Sequence, residues 1–208
     1  MENEFEDDAG VKLMLAYQAG DESAFDRLVE DYSAQIYALL TRFLGQKSSR
    51  EDLVQEVFLR VIRSRERYQP TARFSTWLYR IVFNMAVNET QRAIGKELHV
   101  LDAPATYASY APIEERAGDG MSEMADERIL DPSQHLEQND VVQAVRRSIA
   151  RLPENQRMAL ILAKYEELPY IEIAKVLGTS EKAIKSLVHR ARETLRESLA
   201  PFLQGELS

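Results

Sequence analysis

Cysteine is absent from this 208-residue chain, which excludes a disulfide framework and any thiolate metal site and fits a reducing compartment. Histidine is scarce. His99, His135 and His189 lie far apart, without the H-x-x-x-H or carboxylate–histidine spacing that a metal site needs. Neither a Walker-type nor a G-x-G-x-x-G phosphate loop is present, and acidic pairs such as Asp7-Asp8 and Glu114-Glu115 fall in segments that read as solvated. No catalytic residue, metal or cofactor is therefore expected. No apolar run approaches membrane-spanning length, and the acidic start, Met1-Glu-Asn-Glu-Phe-Glu-Asp-Asp8, lacks the basic start and apolar core of a signal peptide. A cytoplasmic protein without membrane insertion is the expectation. Strand-period alternation, internal repeats and low-complexity tracts are missing too, which leaves helical periodicity and an all-α fold.

What is present is unevenly charged. The chain is 45% hydrophobic and 29% charged, with a net charge of −8. Residues 1–31 hold 2 basic and 10 acidic side chains, 32–96 hold 11 and 5, 97–140 hold 2 and 11, and 141–208 hold 11 and 8. Salt screens charge beyond roughly 8–10 Å, so two locally basic blocks count for more than the acidic total. The acidic balance is compatible with a nucleic-acid partner.

After an acidic tail over 1–10, the pattern predicts a short helix from about Val11 to Ala19, stopped by Gly20. Asp21 caps a longer helix through Phe25, Leu28, Val29, Tyr32, Ile36, Leu39, Leu40 and Phe43, ended by Gly45. Ser48 or Ser49 caps a third, with Glu51-Asp52 in its first turn. A fourth runs from about Phe74 to Arg92 and stops near Gly95, completing a helical domain over 11–96. Residues 97–137 are rich in acid, Pro and Gly and poor in large apolar residues, the composition of a flexible or extended linker. The helical period returns with Val141, Val142, Val145, Ile149 and Leu152, then Pro153, a helix over Met158–Tyr165 and a helix–turn–helix, giving a second domain over 138–204.

Three surfaces exceed what a fold requires. In the third helix Val54, Val57, Phe58, Val61 and Ile62 make the inward stripe, while Leu59 lies opposite among Asp52, Gln55, Glu56 and Arg63. An apolar centre ringed by charged and amide groups has the form of a protein-docking face. In the fourth helix Trp77, Leu78, Ile81 and Met85 supply a core face, whereas Tyr79, Phe83, Ala86 and Thr90 point the other way, near Tyr68, Arg73, Phe74, Arg80 and Arg92. Rings on a basic surface suit unpaired bases, because any exposed base stacks on them. Packing of Tyr79 and Phe83 on the second helix is the competing explanation. The third surface follows Gly178, where a left-handed residue and a Ser180 or Thr179 cap open a helix with Ile184, Val188, Ala191 and Leu195 on one side and Leu187 at its border. Lys182, Lys185, Ser186, His189 and Arg196 occupy the other side, an arrangement suited to a DNA major groove or to a bundle with a solvated basic face.

Six stretches follow one another along the chain: Gly20-Asp21 with Ala24-Phe25, Glu51-Asp-Leu-Val-Gln-Glu-Val-Phe-Leu-Arg60, Phe74-Ser-Thr-Trp-Leu-Tyr-Arg-Ile81 with Asn84, Ile149-Ala-Arg-Leu-Pro153, Glu172-Ile-Ala174 and Arg190-Ala-Arg192. In these motifs and their order the chain resembles bacterial RNA polymerase sigma factors of the extracytoplasmic-function (ECF) group of the sigma-70 family. The second stretch is similar to the family's polymerase-clamp-binding helix and the third to its promoter-melting helix. The resemblance implies a sigma-2-like four-helix domain and a sigma-4-like helix–turn–helix domain. It implies core RNA polymerase (clamp helices and flap region) and promoter DNA as partners, with an anti-sigma factor as regulator.

By residue, the resemblance implies docking on the clamp by Asp52, Gln55, Glu56, Leu59 and Arg63. The unpaired minus-ten strand would be held by Tyr68, Arg73, Phe74, Trp77, Tyr79, Arg80, Asn84, Asn88 and Arg92. The minus-thirty-five duplex would be read by Lys185, Ser186, His189 and Arg190 on the helix opened by Ser180, with Lys182 and Arg196 on phosphates. Lys182-Ala-Ile-Lys-Ser-Leu187 replaces the family's Gly-Thr-Val-Lys-Ser-Arg, Asn88 stands where Asp is common and Arg50 where Ala is common. Two other readings stay open, a sigma-like decoy that binds an anti-sigma factor without engaging promoters and a ligand-sensing helix–turn–helix regulator.

Overall fold

The structure, a computed structural model, describes residue 5 and residues 7–45, 50–98 and 142–204, with the side chains of 93–98 and 201–204 left aside. The expected Ser48 or Ser49 cap and residues 99–141, nearly all of the expected linker, lie outside the described residues.

Asp8, inside the apparent acidic tail, starts the fold. Its Oδ1 accepts from the Val11 backbone N–H at 2.9 Å and opens α1 (Ala9–Gln18), two residues before the expected start. The same oxygen accepts from Phe74 N–H at 3.4 Å, at the first residue of α4 (Phe74–Leu98), so one carboxylate serves two helix N-termini. Asp21 caps α2 (Glu22–Leu44) through Ser23, and Gly45, at φ 71°, ends it as expected. α3 (Arg50–Ser64) closes in a 3-10 turn over Arg65–Arg67. α4 passes through Gly95 to Leu98 rather than stopping there, because a helical glycine costs only about 1 kcal/mol against alanine and is no terminus by itself.

Close approach rather than turn geometry accounts for Gly10. A Cβ there would meet Phe74 Cβ at 2.7 Å and the Tyr32 hydroxyl closer still. An ordinary Gly→Ala change inside a helix stabilises by up to about 1 kcal/mol. Gly10→Ala is expected to destabilise by about 1–3 kcal/mol through overpacking, measured by urea unfolding. A stabilised variant would mean that α1 and α4 do not cross this tightly.

The second half holds α5 (residues 142–150), α6 (Glu154–Tyr165), α7 (Tyr170–Leu177) and α8 (Glu181–Gln204). Every regular element among the described residues is helical. Val142, expected on the inner stripe of α5, is exposed, and Ala144 and Ser148 are buried instead.

α2 touches α1, α3, α4 and α6, and buries Leu28, Ile36, Leu39, Leu40 and Phe43. One apolar core runs on from there through Leu78 and Val82 of α4 to Met158 and Ile161 of α6, Ile173 of α7, and Ile184 and Val188 of α8. The two halves are packed together, with α7 on α4 and α6 on α2. Arg157 of α6 fixes this arrangement: Nη1 donates to the Phe43 carbonyl at 2.9 Å, Nη2 donates to Leu152 O at 3.0 Å, and the guanidinium lies 5.1 Å from the Phe43 ring centroid. Burial pulls its pKa down, against the opposing charge of Glu154. A cation on the last carbonyls of α2 is favourably placed against the helix dipole.

Candidate polymerase and nucleic-acid interfaces

Four positions on α3 face inward, with Val57, Phe58 and Val61 buried and Val54 half-buried. Their 54/57/58/61 spacing makes one helical stripe, and Ile62 falls just outside it. Ile62 was expected in that stripe but is 40% exposed, three residues from Leu59 at 43%. The outward apolar spot is therefore a pair. Asp52 and Gln55 stand exposed beside it, and Glu56 accepts from Arg60 Nε at 3.5 Å and Arg63 Nη1 at 3.2 Å. The Glu56 carboxylate is shared by two cations of its own helix, which holds both arginines along one flank.

That flank meets α4. Arg60, Arg63 and Ser64 of α3 face Trp77, Arg80, Ile81 and Asn84 of α4 across a depression of about 370 Å³. Trp77 and Ile81, expected in the core, are only half-buried and line this surface. Tyr79 and Phe83, expected to point away from the core, are buried at 3% exposure each. The expectation assumed one inward face, but α4 is packed on several sides: Phe83 meets Phe43 of α2 edge-on at 6.2 Å, the Tyr79 hydroxyl has Glu166 Oε2 at 2.8 Å and Gln35 Oε1 of α2 at 3.3 Å as acceptors, and α7 also packs on α4. Tyr68 and Phe74 are buried as well, around the Trp77 ring at 5.0 and 5.5 Å. Of the ring residues implied for the minus-ten strand, Trp77 alone keeps an accessible face in this arrangement. Arg73, Asn88 and Arg92 are exposed, and Arg80 and Asn84 half-buried. Sequence reasoning gave no role to Arg60, which the structure brings to Arg80 and Trp77; its three-residue spacing from Arg63 was the available signal.

Burial, ahead of nearby charge, raises three phenols. Tyr32 is pushed up to about 12 by burial and then by Asp8 and Asp31. Tyr68 and Tyr79 are also pushed up, first by burial and next by the charges of Asp8 and Glu166 respectively. A raised folded pKa keeps its full stabilising contribution below the unfolded value, about 10, and loses it as pH rises through the folded one. Ultraviolet titration is therefore expected to find three of the nine tyrosines ionising only together with loss of helix. Ionisation of all nine near their ordinary pKa, with the helix signal intact, would contradict this buried cluster.

The C-terminal surface follows the sequence closely. Gly178 takes φ 66°, its N–H donating to Ala174 O, and Ser180 Oγ accepts from Ala183 N–H at 3.2 Å to open α8. Ile184, Val188 and Ala191 are buried, with Leu187 and Leu195 half-buried. Lys182, Lys185, Ser186, His189, Arg190, Arg192 and Arg196 all face solvent. Lys185 lies 2.8 Å from Glu181, whose hydrogen bond and charge raise its pKa, and His189 lies 3.3 Å from Glu193. Exposed pairs of this kind are worth about 0–1 kcal/mol, so a phosphate can displace the carboxylate at little cost. Arg192 and Tyr170 of α7 join Lys185, His189 and Arg196 around a second depression of about 390 Å³. Neither Arg192 nor Tyr170 had been singled out as a contact.

No helix among the described residues is long and apolar enough to cross a membrane. Residues 28–93 match the family described as "Sigma-70 region 2", and residues 142–195 match "Sigma-70, region 4". The chain is 32% identical over 193 residues to the RNA polymerase sigma-H factor of Pseudomonas aeruginosa, covering 93% of this chain and 95% of that protein. It is 31% identical to the ECF RNA polymerase sigma factor SigW of Bacillus subtilis, covering 90% and 95% of the two chains. The ECF RNA polymerase sigma-E factor of Escherichia coli is also 31% identical, covering 92% and 95%. Among solved structures, CnrH in complex with the cytosolic domain of CnrY superposes with a TM-score of 0.63 at 21% identity, covering 93% of this chain and 99% of that one. The sigma factor RpoE in complex with the anti-sigma factor NepR from Bartonella quintana gives 0.58 at 21% identity, covering 85% and 96%.

Proposed function

This chain belongs to the extracytoplasmic-function group of the sigma-70 family, and from that membership we propose that it binds core RNA polymerase and directs it to a two-element promoter. The observation that carries the reading is the Leu59–Ile62 pair, 43% and 40% exposed on a charged and amide-bearing helix. A DNA-binding regulator has no use for an outward apolar pair in its other domain; a subunit that docks on polymerase does. The clamp helices would take Leu59 and Ile62 as anchors, with Asp52, Gln55, Glu56 and Arg63 at the rim.

α8 enters the major groove of the minus-thirty-five duplex behind the Gly178 turn. Arg190 and Lys185 reach base edges, where a bidentate contact is worth about 1–3 kcal/mol of discrimination, and Lys182, Arg192 and Arg196 neutralise phosphates. At the minus-ten element an unstacked base costs a few kcal/mol to extrude. Stacking on Trp77 returns about 1–3 kcal/mol, and Arg60, Arg63 and Arg80 offset the strand's charge. The polymerase performs the chemistry; this chain contributes position and strand capture and needs no cofactor. It acts in the cytoplasm, with an anti-sigma factor as its regulator.

Run-off transcription with purified core polymerase on a genomic fragment library tests the reading. New start sites that share two spaced upstream elements are expected only when the protein is added. Core binding without any start site would favour the decoy reading, and no core binding at all would sink the proposal.

A further inference from the structure

The loop over residues 69–73 joins the 3-10 turn to α4 and carries Arg73 into the surface assigned to the minus-ten strand. Its middle is open: Gln69, Thr71 and Arg73 are exposed, with Pro70 and Ala72 half-buried. Its neck is closed. Tyr68 and Phe74, on either side of the loop, place their rings 6.3 Å apart, and the Trp77 ring packs on both at 5.0 and 5.5 Å. The loop's own backbone bond, Thr71 N–H to Gln69 O at 2.9 Å, spans three residues, too little to hold five in one shape.

Both sides of the neck are tied to α1. At the C-terminal end of that helix, Gln18 Nε2 donates to the Arg65 carbonyl at 2.8 Å and to the Tyr68 carbonyl at 3.3 Å, so one amide group spans the turn that feeds the loop. The Arg65 guanidinium lies 4.1 Å from the Tyr17 ring centroid and donates to Glu22 Oε1 at 2.7 Å. At the N-terminal end, the Asp8 carboxylate that caps α1 also accepts from the Phe74 N–H at 3.4 Å, where the loop ends. A hydrogen-bonded helix of this length is stiff, and a loop of five residues is not. Entry and exit of the loop are therefore referred to one rigid element outside α3 and α4. Both anchors precede the region 2 match, which begins at residue 28.

We infer that α1 is a splint for the strand-capturing loop, with Asp8 and Gln18 as positioning residues that touch no DNA themselves. The inference rests on the proposed initiation role and deepens it. Fixing one loop residue at the moment of binding costs a partner roughly 10-fold in affinity, so a loop shaped in advance captures the strand that much more tightly. Gln18 holds backbone carbonyls, so the splint works whatever side chains the loop presents. Trp77, Arg60, Arg63 and Arg80 meet the strand, and α1 sets where the loop stands beside them.

Trp77 is the only tryptophan of the chain and lies against the neck, which makes it the reporter. In the free full-length protein, time-resolved anisotropy is expected to show Trp77 turning with the whole molecule. Gln18→Leu and Asp8→Ala should each add a fast component and raise quenching by acrylamide, with helix content retained by circular dichroism. Asp8→Asn keeps the acceptor oxygen and should behave as the parent. In holoenzyme on a promoter fragment recovered by run-off, permanganate oxidation of unpaired thymines measures strand capture, and a nuclease footprint measures minus-thirty-five binding. Gln18→Leu and Asp8→Ala should lower the permanganate signal about 10-fold at limiting holoenzyme with the footprint unchanged, and Asp8→Asn should restore it. A general loss of structure would lower both signals together. If Asp8→Ala fails to fold, Gln18→Leu, which removes no helix cap, decides alone. Rigid Trp77 in Gln18→Leu, or a loosened Trp77 with undiminished permanganate signal, would overturn the splint. Absence of any start site with the parent would overturn the initiation role, while Trp77 in the free protein still decides whether α1 holds the loop.

Discussion

Replacing Phe74 with alanine is expected to lower the unfolding free energy by about 3–5 kcal/mol, a large part of the ~5–15 kcal/mol available to a typical domain. The ring has no exposed surface and sits where three elements meet. Tyr32 of α2 packs against it at 5.0 Å, Trp77 at 5.5 Å and Tyr68 at 6.3 Å, while Gly10 of α1 abuts its Cβ. Its backbone N–H is held by Asp8. Truncation leaves a cavity bounded by rigid rings that cannot collapse into it, which is the expensive case. Chemical unfolding measures the loss directly. The family resemblance suggests a different effect, loss of minus-ten strand binding by an otherwise sound protein. Unchanged stability together with lost strand binding would show that Phe74 acts at the DNA and that its burial is incidental. The half-exposed neighbour Trp77 provides the contrast: Trp77→Ala should weaken strand capture by about 1–3 kcal/mol with a smaller effect on unfolding.

Different parts of the chain were legible to different degrees, and for physical reasons. α8 was legible almost residue by residue, because it has one buried stripe, a side-chain cap at Ser180 and a left-handed glycine before it, all local signals. α4 was misjudged because periodicity gives the width of an apolar face but not the number of partners. With α1, α2, α3 and α7 all packed on α4, Tyr79 and Phe83 are interior and Trp77 is left at the rim. Asp8 and Gly10 passed for parts of an acidic tail, since their significance lies in Phe74 and Tyr32, far along the chain. Ile62 and Val142 belong to the apolar periodicity of their helices, yet both stand exposed. The packing of one half on the other left no sequence signature. Its residues, Thr76, Glu166 and Glu172, look like ordinary solvated positions until a partner nearly a hundred residues away covers them.

Leu59→Asp is expected to weaken binding to core polymerase by at least about 30-fold, roughly 2 kcal/mol, while leaving the fold intact. Leu59 is 43% exposed and contributes little to the folded chain, so an exposed carboxylate there should change stability by no more than about 0.5 kcal/mol. On docking, the same position would lie at the centre of a desolvated contact, where an unpaired carboxylate is costly and the apolar anchor is gone. Ile62→Asp should act in the same direction. Truncating the exposed rim residues Asp52 and Gln55 should cost far less, because water reaches them in either state. Fluorescence anisotropy of labelled protein titrated with purified core measures all four. Equal affinity for Leu59→Asp and the parent would mean that polymerase is met through another face, and would remove the observation on which the functional reading rests.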